Sequence, residues 1–570
     1  MGGDYTQKAR IHTESWYRLH AMSAVAPEQI TPIAAPSDSV AMRHGRLLAL
    51  WLAALVPLLI AVGGNPVQRT QEARVVETAR QMLGRGFHAW LIPSINGEIR
   101  LRKPPLAYWM AAASFSLLGV SEFAARLPTV LTAWLTLAAT YAIAARLFGH
   151  RAGLLSGACL LSSYLFFKMG RLAETDGPAT LWATIAVGFY WWSIEAKPSQ
   201  RGMFFHAAAI ATGLSLFAKQ GPGFFPLFFF VVFSFLRRRP KTLWRFVLSG
   251  APITLIVFAG WWYGYAAAVR GIAQFRRELA EVTEGLDHPA PFYDYAPMLL
   301  LAAAPWSIVA IGAVVASAKR AARHPGLAGL LVWSAACFIP LCFVGNKQEH
   351  YLLPMMPPLM ILTGWLIDEA CRAGADERLS RSVAALIGAT VVASIIAPIG
   401  LLIAAHLYRG NILPLDIAFA AAVAFAAAAA WIILIRRGAA TAAFTLAAIW
   451  SLTIPLLIGL WGPAIESADI RSTAAQISNQ FGRGPFVFFG GDTSMPLCFA
   501  LREEIPRIDD QRPDLLLQAA QQTPTLAVIW EIPQAGRGAN LPPAQFEQVG
   551  PDFGAKGQHF RIFQKNPPAN

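Results

Sequence analysis

A chain of 570 residues that is 55% hydrophobic and only 14% charged falls well short of the roughly 25% charged residues of a soluble domain, which excludes an ordinary globule and points to a polytopic membrane protein. The net charge of +14 does not mark a nucleic-acid binder, because the cations sit in short loops between apolar runs rather than along one amphipathic face. Of five cysteines, Cys159, Cys337, Cys342, Cys371 and Cys498, only the last falls in a clearly polar region, which excludes a disulfide framework.

Residues 1–45 are polar and rich in Ala, Pro and Ser, predicting a disordered cytoplasmic N-terminus without a secretory signal. About 20 apolar residues cross a bilayer. Runs of that kind fall near 46–64, 122–147, 151–169, 176–195, 203–218, 222–236, 244–268, 293–316, 326–345, 352–370, 383–405, 413–435 and 440–461, predicting thirteen spans. An odd number puts the termini on opposite sides. Basic residues such as Arg146 and Arg151, Arg237 to Arg239, Lys319 with Arg320, and Arg436 with Arg437 fall in alternate loops, which are therefore expected to be cytoplasmic. The opposite set contains 65–104, the turn at Glu174, Lys219, 270–292, 345–351 and everything after 462.

The charged stretch from Gln71 to Trp109 is the natural place for chemistry. Glu72, Arg74, Glu77 and Arg80 alternate with Val75, Val76, Ala79 and Met82 at helical spacing, predicting an interfacial helix. Asn96 and Gly97 break the pattern, and Arg100, Arg102 and Lys103 precede the Pro104-Pro105 start of another apolar helix, an entrance suited to an anionic headgroup. Beyond 462 the composition turns polar. FVFFGG (486–491) and TLAVIW (525–530) read as buried strands, HFRIFQK (559–565) as an alternating strand, and Pro513 to Gln522 as a helix. A small α/β domain over 463–570, outside the membrane, is expected.

Ionisable residues cluster at the expected outer span ends: Gln71, Glu72 and Arg74; Arg102 and Lys103; Glu174 and Asp176; Lys219; and Lys347 to Tyr351. Each has a plainer explanation, namely snorkelling anchors for the lysines, a helix cap for Asp176 and belt residues for His350 and Tyr351. The 270–295 segment, with His288, also fits a solvated amphipathic helix. Placement of all of them on one side favours a site. No Walker loop, dinucleotide fingerprint, HExxH or CxxC occurs, which disfavours a nucleotide-driven pump or a redox carrier.

QEARVVETARQML followed by GEIRLRKPPLAYW, then ETDGPATLW, FAKQGPGFFP, HPAPFYDY and NKQEHYLLPMMPPL, resembles the loops of the GT-C type lipid-linked-sugar glycosyltransferases, in the branch of aminoarabinose transferases and protein O-mannosyltransferase-related enzymes. The order agrees from residue 46 to about 370. The resemblance implies an all-α polytopic GT-C membrane fold with an extracytoplasmic cavity, an architecture that the expected C-terminal α/β extracytoplasmic domain fits. It also implies an inner-membrane enzyme moving a sugar from a polyprenyl phosphate to a lipid, glycan or protein acceptor, with no nucleic-acid partner. Carried over residue by residue, it makes Glu72 and Asp176 the catalytic carboxylates, with Glu72 the better base. Arg74, Lys103, Lys219, Lys347, His350, Tyr351 and His288 become the substrate-binding set. Gln71 stands where the family usually has the first acid of a pair, and Arg102 where aminoarabinose transferases have an acid before the KP lysine, so neither a metal nor any other cofactor is predicted. A transporter or lipid flippase is the alternative, since polar residues at span ends also mark substrate paths.

Overall fold

A segment surrounded by lipid must satisfy its own backbone hydrogen bonds, so long apolar runs bounded by Gly, Pro and basic loops fold as helices. The computed structural model describes residues 40–101, 103–274, 276, 291–345, 347–372, 374, 376–456, 469–491, 493–532, 540–555 and 558–565. The chain divides into two compact units, Met1–Leu52 and Ala53–Asn570. The described part of the first is helix, within α1 (Val40–Ala53).

The second unit begins with α2 (Leu55–Leu59), α3 (Thr70–Met82), α4 (Gly86–Leu91), a hairpin of β1 (Ser94–Ile95) and β2 (Glu98–Ile99), and α5 (Leu106–Leu118). Then come α6 (Glu122–Phe148), α7 (His150–Leu161), α8 (Tyr164–Met169), α9 (Asp176–Glu195), α10 (Pro198–Ala218), α11 (Gln220–Leu236), α12 (Pro240–Leu248) and α13 (Ala251–Arg270). The series continues with α14 (Tyr295–Ala303), α15 (Ser307–Arg320), α16 (Pro325–Phe343), a 3-10 turn at Glu349–Met355, α17 (Met356–Ala370), α18 (Glu377–Arg409), α19 (Pro414–Arg437) and α20 (Ala439–Leu456).

Among the described residues, seven helices are long and apolar enough to cross a membrane, or eight if α14 and α15, bent by 108°, count as one. The protein is thus a multi-pass helical membrane protein with fewer full-length apolar helices than the thirteen expected spans. One reason is local: the expected 151–169 run is divided at Ser162 and Ser163, where α7 ends and α8 begins. Another is length, since α11 has 17 residues. Small residues let the helices approach closely. A Cβ on Gly364 of α17 would meet the Ser156 backbone nitrogen of α7 at 2.5 Å, so that crossing requires glycine.

After residue 468 the chain forms an α/β layer: α21 (Ile470–Phe481), β3 (Phe486–Phe489), α22 (Met495–Leu501), β4 (Arg507–Ile508), α23 (Pro513–Gln522), β5 (Ala527–Glu531), β6 (Phe546–Gln548), β7 (Phe553–Ala555) and β8 (Gln558–Lys565). β4, β3 and β5 run parallel, while β8 is antiparallel to β5, β6 and β7. Because strand side chains alternate between faces, Phe486, Phe488, Ala527 and Ile529 pack under α21 and α22. Val487, Phe489, Val528 and Trp530 pack under α23. Both faces are covered, which is why β3 and β5 read as continuous apolar runs. The three strands and the helix expected from the sequence are all present.

The expected interfacial helix is α3. Nine of its residues, Glu72 and Glu77 among them, are buried, because α3 packs against α5, β1 and α22 rather than lying free on a surface. Asn96 and Gly97, both at positive φ, form the two-residue turn of the β1–β2 hairpin, as an Asn-Gly pair favours.

Candidate active site

Glu72 lies in the first turn of α3, where a carboxylate suits the helix dipole. It is 1% exposed and holds the Arg126 guanidinium of α6 with two parallel bonds, Nε to Oε1 at 2.7 Å and Nη2 to Oε2 at 2.9 Å. Oε1 also accepts from the Ala173 backbone N–H at 3.0 Å. Arg126 donates further to the Val62, Asn65 and Pro66 carbonyls. A fork-to-fork pair of this kind is strong and directional, and it ties α3, α6 and the 170–175 loop into one frame.

Asp176 opens α9, but its side chain does not cap that helix. Lys219, the extended residue between α10 and α11, donates to both Asp176 oxygens at 2.7 and 2.9 Å. The same ammonium lies 4.7 Å from the centre of the Tyr351 ring, a cation–π contact. Lys103 donates to Gln71 Oε1 at 3.3 Å. Burial pulls its ammonium down to about 7, and the neighbouring Lys219 charge adds to that, against Asp176. Gln71 therefore serves as a neutral acceptor for Lys103 where a carboxylate would have held its charge.

Arg69, just before α3, bridges two groups. Its Nε is 2.5 Å from Glu174 Oε1, and its Nη2 is 3.3 Å from His350 Nδ1. Because a guanidinium only donates, Nδ1 must accept, leaving the imidazole proton on Nε2 as a donor. His350 is 4% exposed and meets the Tyr351 ring edge-on at 4.6 Å. Glu174, also 4% exposed, is raised to about 7 by burial and by the nearby Asp176 charge, with Arg69 opposing.

The structure thus brings Lys103, Lys219, Asp176, His350 and Tyr351 to one cluster. Glu72 is built into its wall. Arg74 is one helical turn from Gln71 on α3, and so shares the face that meets Lys103. Lys347 is engaged elsewhere: its ammonium donates to the Leu341, Cys342 and Val344 carbonyls at the end of α16 and lies 5.2 Å from the Tyr295 ring. A lysine on the last carbonyls of a helix closes that helix. His288, with the rest of 277–290, lies outside the described residues. Sequence reasoning passed over Arg69 and Arg126, and named Glu174 among the span-end groups without giving it a role. Arg69 stands two residues before Gln71, a signal within reach, whereas nothing in the sequence of α6 marks Arg126 as the partner of Glu72.

A family profile described as dolichyl-phosphate-mannose-protein mannosyltransferase matches residues 102–263. An uncharacterized protein of Aquifex aeolicus is 29% identical over 56% of this chain, and the match spans 64% of that relative's length. The undecaprenyl phosphate-alpha-4-amino-4-deoxy-L-arabinose arabinosyl transferase of Erwinia tasmaniensis is 27% identical over 82% of this chain and 85% of its own. The crystal structure of ArnT from Cupriavidus metallidurans superposes with a TM-score of 0.72 at 19% identity, covering 91% of this chain and 98% of that one. The form bound to undecaprenyl phosphate gives 0.70 at 20% identity, with the same coverage. The chain has the GT-C fold. The recognition drawn from its loop motifs is borne out, and within the GT-C frame the cluster lies at the span ends and in the loops joining them.

Proposed function

We propose that this protein is an integral-membrane glycosyltransferase that moves a sugar from a polyprenyl-phosphate donor to a lipid, glycan or protein acceptor. Its catalytic loops and the α/β layer after residue 468 would face the extracytoplasmic side, and its N-terminus the cytoplasm. One observation carries the reading: Lys103, Lys219, Arg69 and His350 gather in one partly buried cluster in the GT-C frame. Departure of a polyprenyl phosphate develops charge on its oxygens, and preorganised donors in a partly desolvated pocket stabilise that charge best. Lys103 and Lys219 are the phosphate ligands, with Arg74 beside them on the Gln71 face. Asp176 holds and aims the Lys219 ammonium, and the Tyr351 ring lies against it. We assign Lys347 to the wall rather than to the phosphate.

The test has two arms. Intact mass spectrometry of lipid A, envelope glycans and surface proteins from a deletion strain should show loss of a sugar-sized increment relative to the parent. Purified protein should bind undecaprenyl phosphate, and Lys103→Ala should lower kcat by about 10²- to 10³-fold, the usual worth of one such donor. An unchanged envelope together with no undecaprenyl phosphate binding would overturn the function.

A further inference from the structure

Three buried carboxylates border the cluster, and they differ in what holds them. Glu72 accepts three hydrogen bonds, two from Arg126 and one from the Ala173 N–H. Asp176 has a lysine hydrogen on each oxygen. A carboxylate so bound is a poor proton acceptor, because protonation would break charge-assisted bonds. Glu174 is different. Its Oε1 is close to Arg69 but out of line, and takes no hydrogen bond among the described residues. Glu174 also lines a small cleft, whose other residues, Val75, Ala107, Met110 and Pro178 among them, are apolar apart from Thr129. A buried oxygen with an unused lone pair, beside the cations that would hold the leaving phosphate, is the arrangement a general base needs.

We propose that Glu174 is the proton acceptor of the transfer, and that the acceptor molecule therefore attacks through a hydroxyl. This rests on the glycosyltransferase function proposed above. The acceptor oxygen bonds to the anomeric carbon of the sugar. The bond from that carbon to the phosphate oxygen breaks, its electron pair leaving on the polyprenyl phosphate. The hydroxyl proton passes to a Glu174 oxygen. Arg69 positions the carboxylate. The charged groups around it are Arg69 from the loop before α3, Glu72 from α3, Lys103 before α5 and Asp176 from α9. Burial raises Glu174 to about 7, so its basic form grows as pH rises through neutrality, and the rate rises with it.

The experiment uses purified full-length protein, undecaprenyl phosphate carrying the sugar whose mass increment the envelope comparison reports, and the acceptor found to carry it. Glu174→Gln should bind undecaprenyl phosphate as wild type does, lower kcat by about 10²- to 10⁴-fold, and lose the rising limb of the pH–rate profile near neutrality. The product linkage should survive mild acid, as a glycoside does and a glycosyl phosphate does not. If Glu174→Gln does not fold, Glu174→Asp decides: a displaced rising limb supports the assignment and an unmoved one overturns it. Full turnover by Glu174→Gln, or sugar found on a phosphate, overturns this inference alone. Absence of any sugar increment overturns the function on which it rests.

Discussion

Glu72 and Lys103 show how much a side chain's neighbours decide. With its oxygens bound to Arg126 and Ala173, Glu72 acts as a clamp. Glu72→Ala would strand the buried Arg126 charge, and loss of one partner from such a pair costs about 3–5 kcal/mol, so thermal unfolding in detergent should show a sharply destabilised protein. Glu72→Gln with wild-type stability and lost turnover would instead restore Glu72 as the base. Lys103 is pulled down to about 7, so in the free protein much of it is neutral above that pH. An arriving phosphate favours the ammonium, and binding at pH 8 should take up a proton, whereas at pH 5.5 Lys103 is already charged and contributes none. Titration calorimetry of undecaprenyl phosphate in buffers of different ionisation heat reads this directly. Lys103→Arg, which cannot lose its proton, should abolish the uptake, and heats at pH 8 that ignore the buffer would refute it.

Helix α3 owes its position to a polar network rather than to its apolar face alone. Glu77 is fully buried, and burial raises its carboxyl even though Arg80 opposes that. Arg80 grips it with bonds of 2.9 and 2.7 Å and reaches the Arg502 carbonyl at 2.9 Å. Gln81 donates to Glu77 at 2.6 Å and exchanges bonds with the side chain and backbone of Asn96 at 2.8 and 2.9 Å. Asn96 also reaches Cys498 of α22, Arg85 pairs with Glu504, and Phe115 of α5 stacks on Phe499. Through these contacts the C-terminal layer holds the helix that carries Gln71 and Arg74. Asn96→Ala removes both a residue that tolerates positive φ and the partner of Gln81. It should lower the melting temperature and reduce kcat, with undecaprenyl phosphate affinity changed less. Unaltered kcat would mean that the hairpin does not set the position of α3.

For the whole molecule, the contacts joining α3 and the Asn96 turn to α22 put the C-terminal layer on the same side of the protein as the cluster. If the loops face the extracytoplasmic space, the C-terminus does too. An alkaline phosphatase fusion after residue 570 should be active and a green fluorescent protein fusion dark. The reverse pattern would place the cluster in the cytoplasm and remove the proposed donor side.

Composition and the periodicity of apolar runs were enough to establish a multi-pass helical protein, because the bilayer imposes length and internal hydrogen bonding on every crossing. They were also enough for the C-terminal strands, since a sheet covered on both faces writes continuous apolar runs into the chain. The loop motifs led to the GT-C frame and to Lys103, Asp176, Lys219, His350 and Tyr351, residues whose polar side chains at a span end are visible without coordinates. Tertiary structure alone decided their partners. Arg126 is 54 residues from Glu72, Lys219 is 43 from Asp176 and His350 is 281 from Arg69, and no local pattern reports pairings across such distances. For that reason the sequence favoured Glu72 as the base and the lysine of 345–351 as a phosphate ligand. The fold commits the first to Arg126 and the second to the carbonyls of α16, and leaves the less tightly held carboxylate at Glu174.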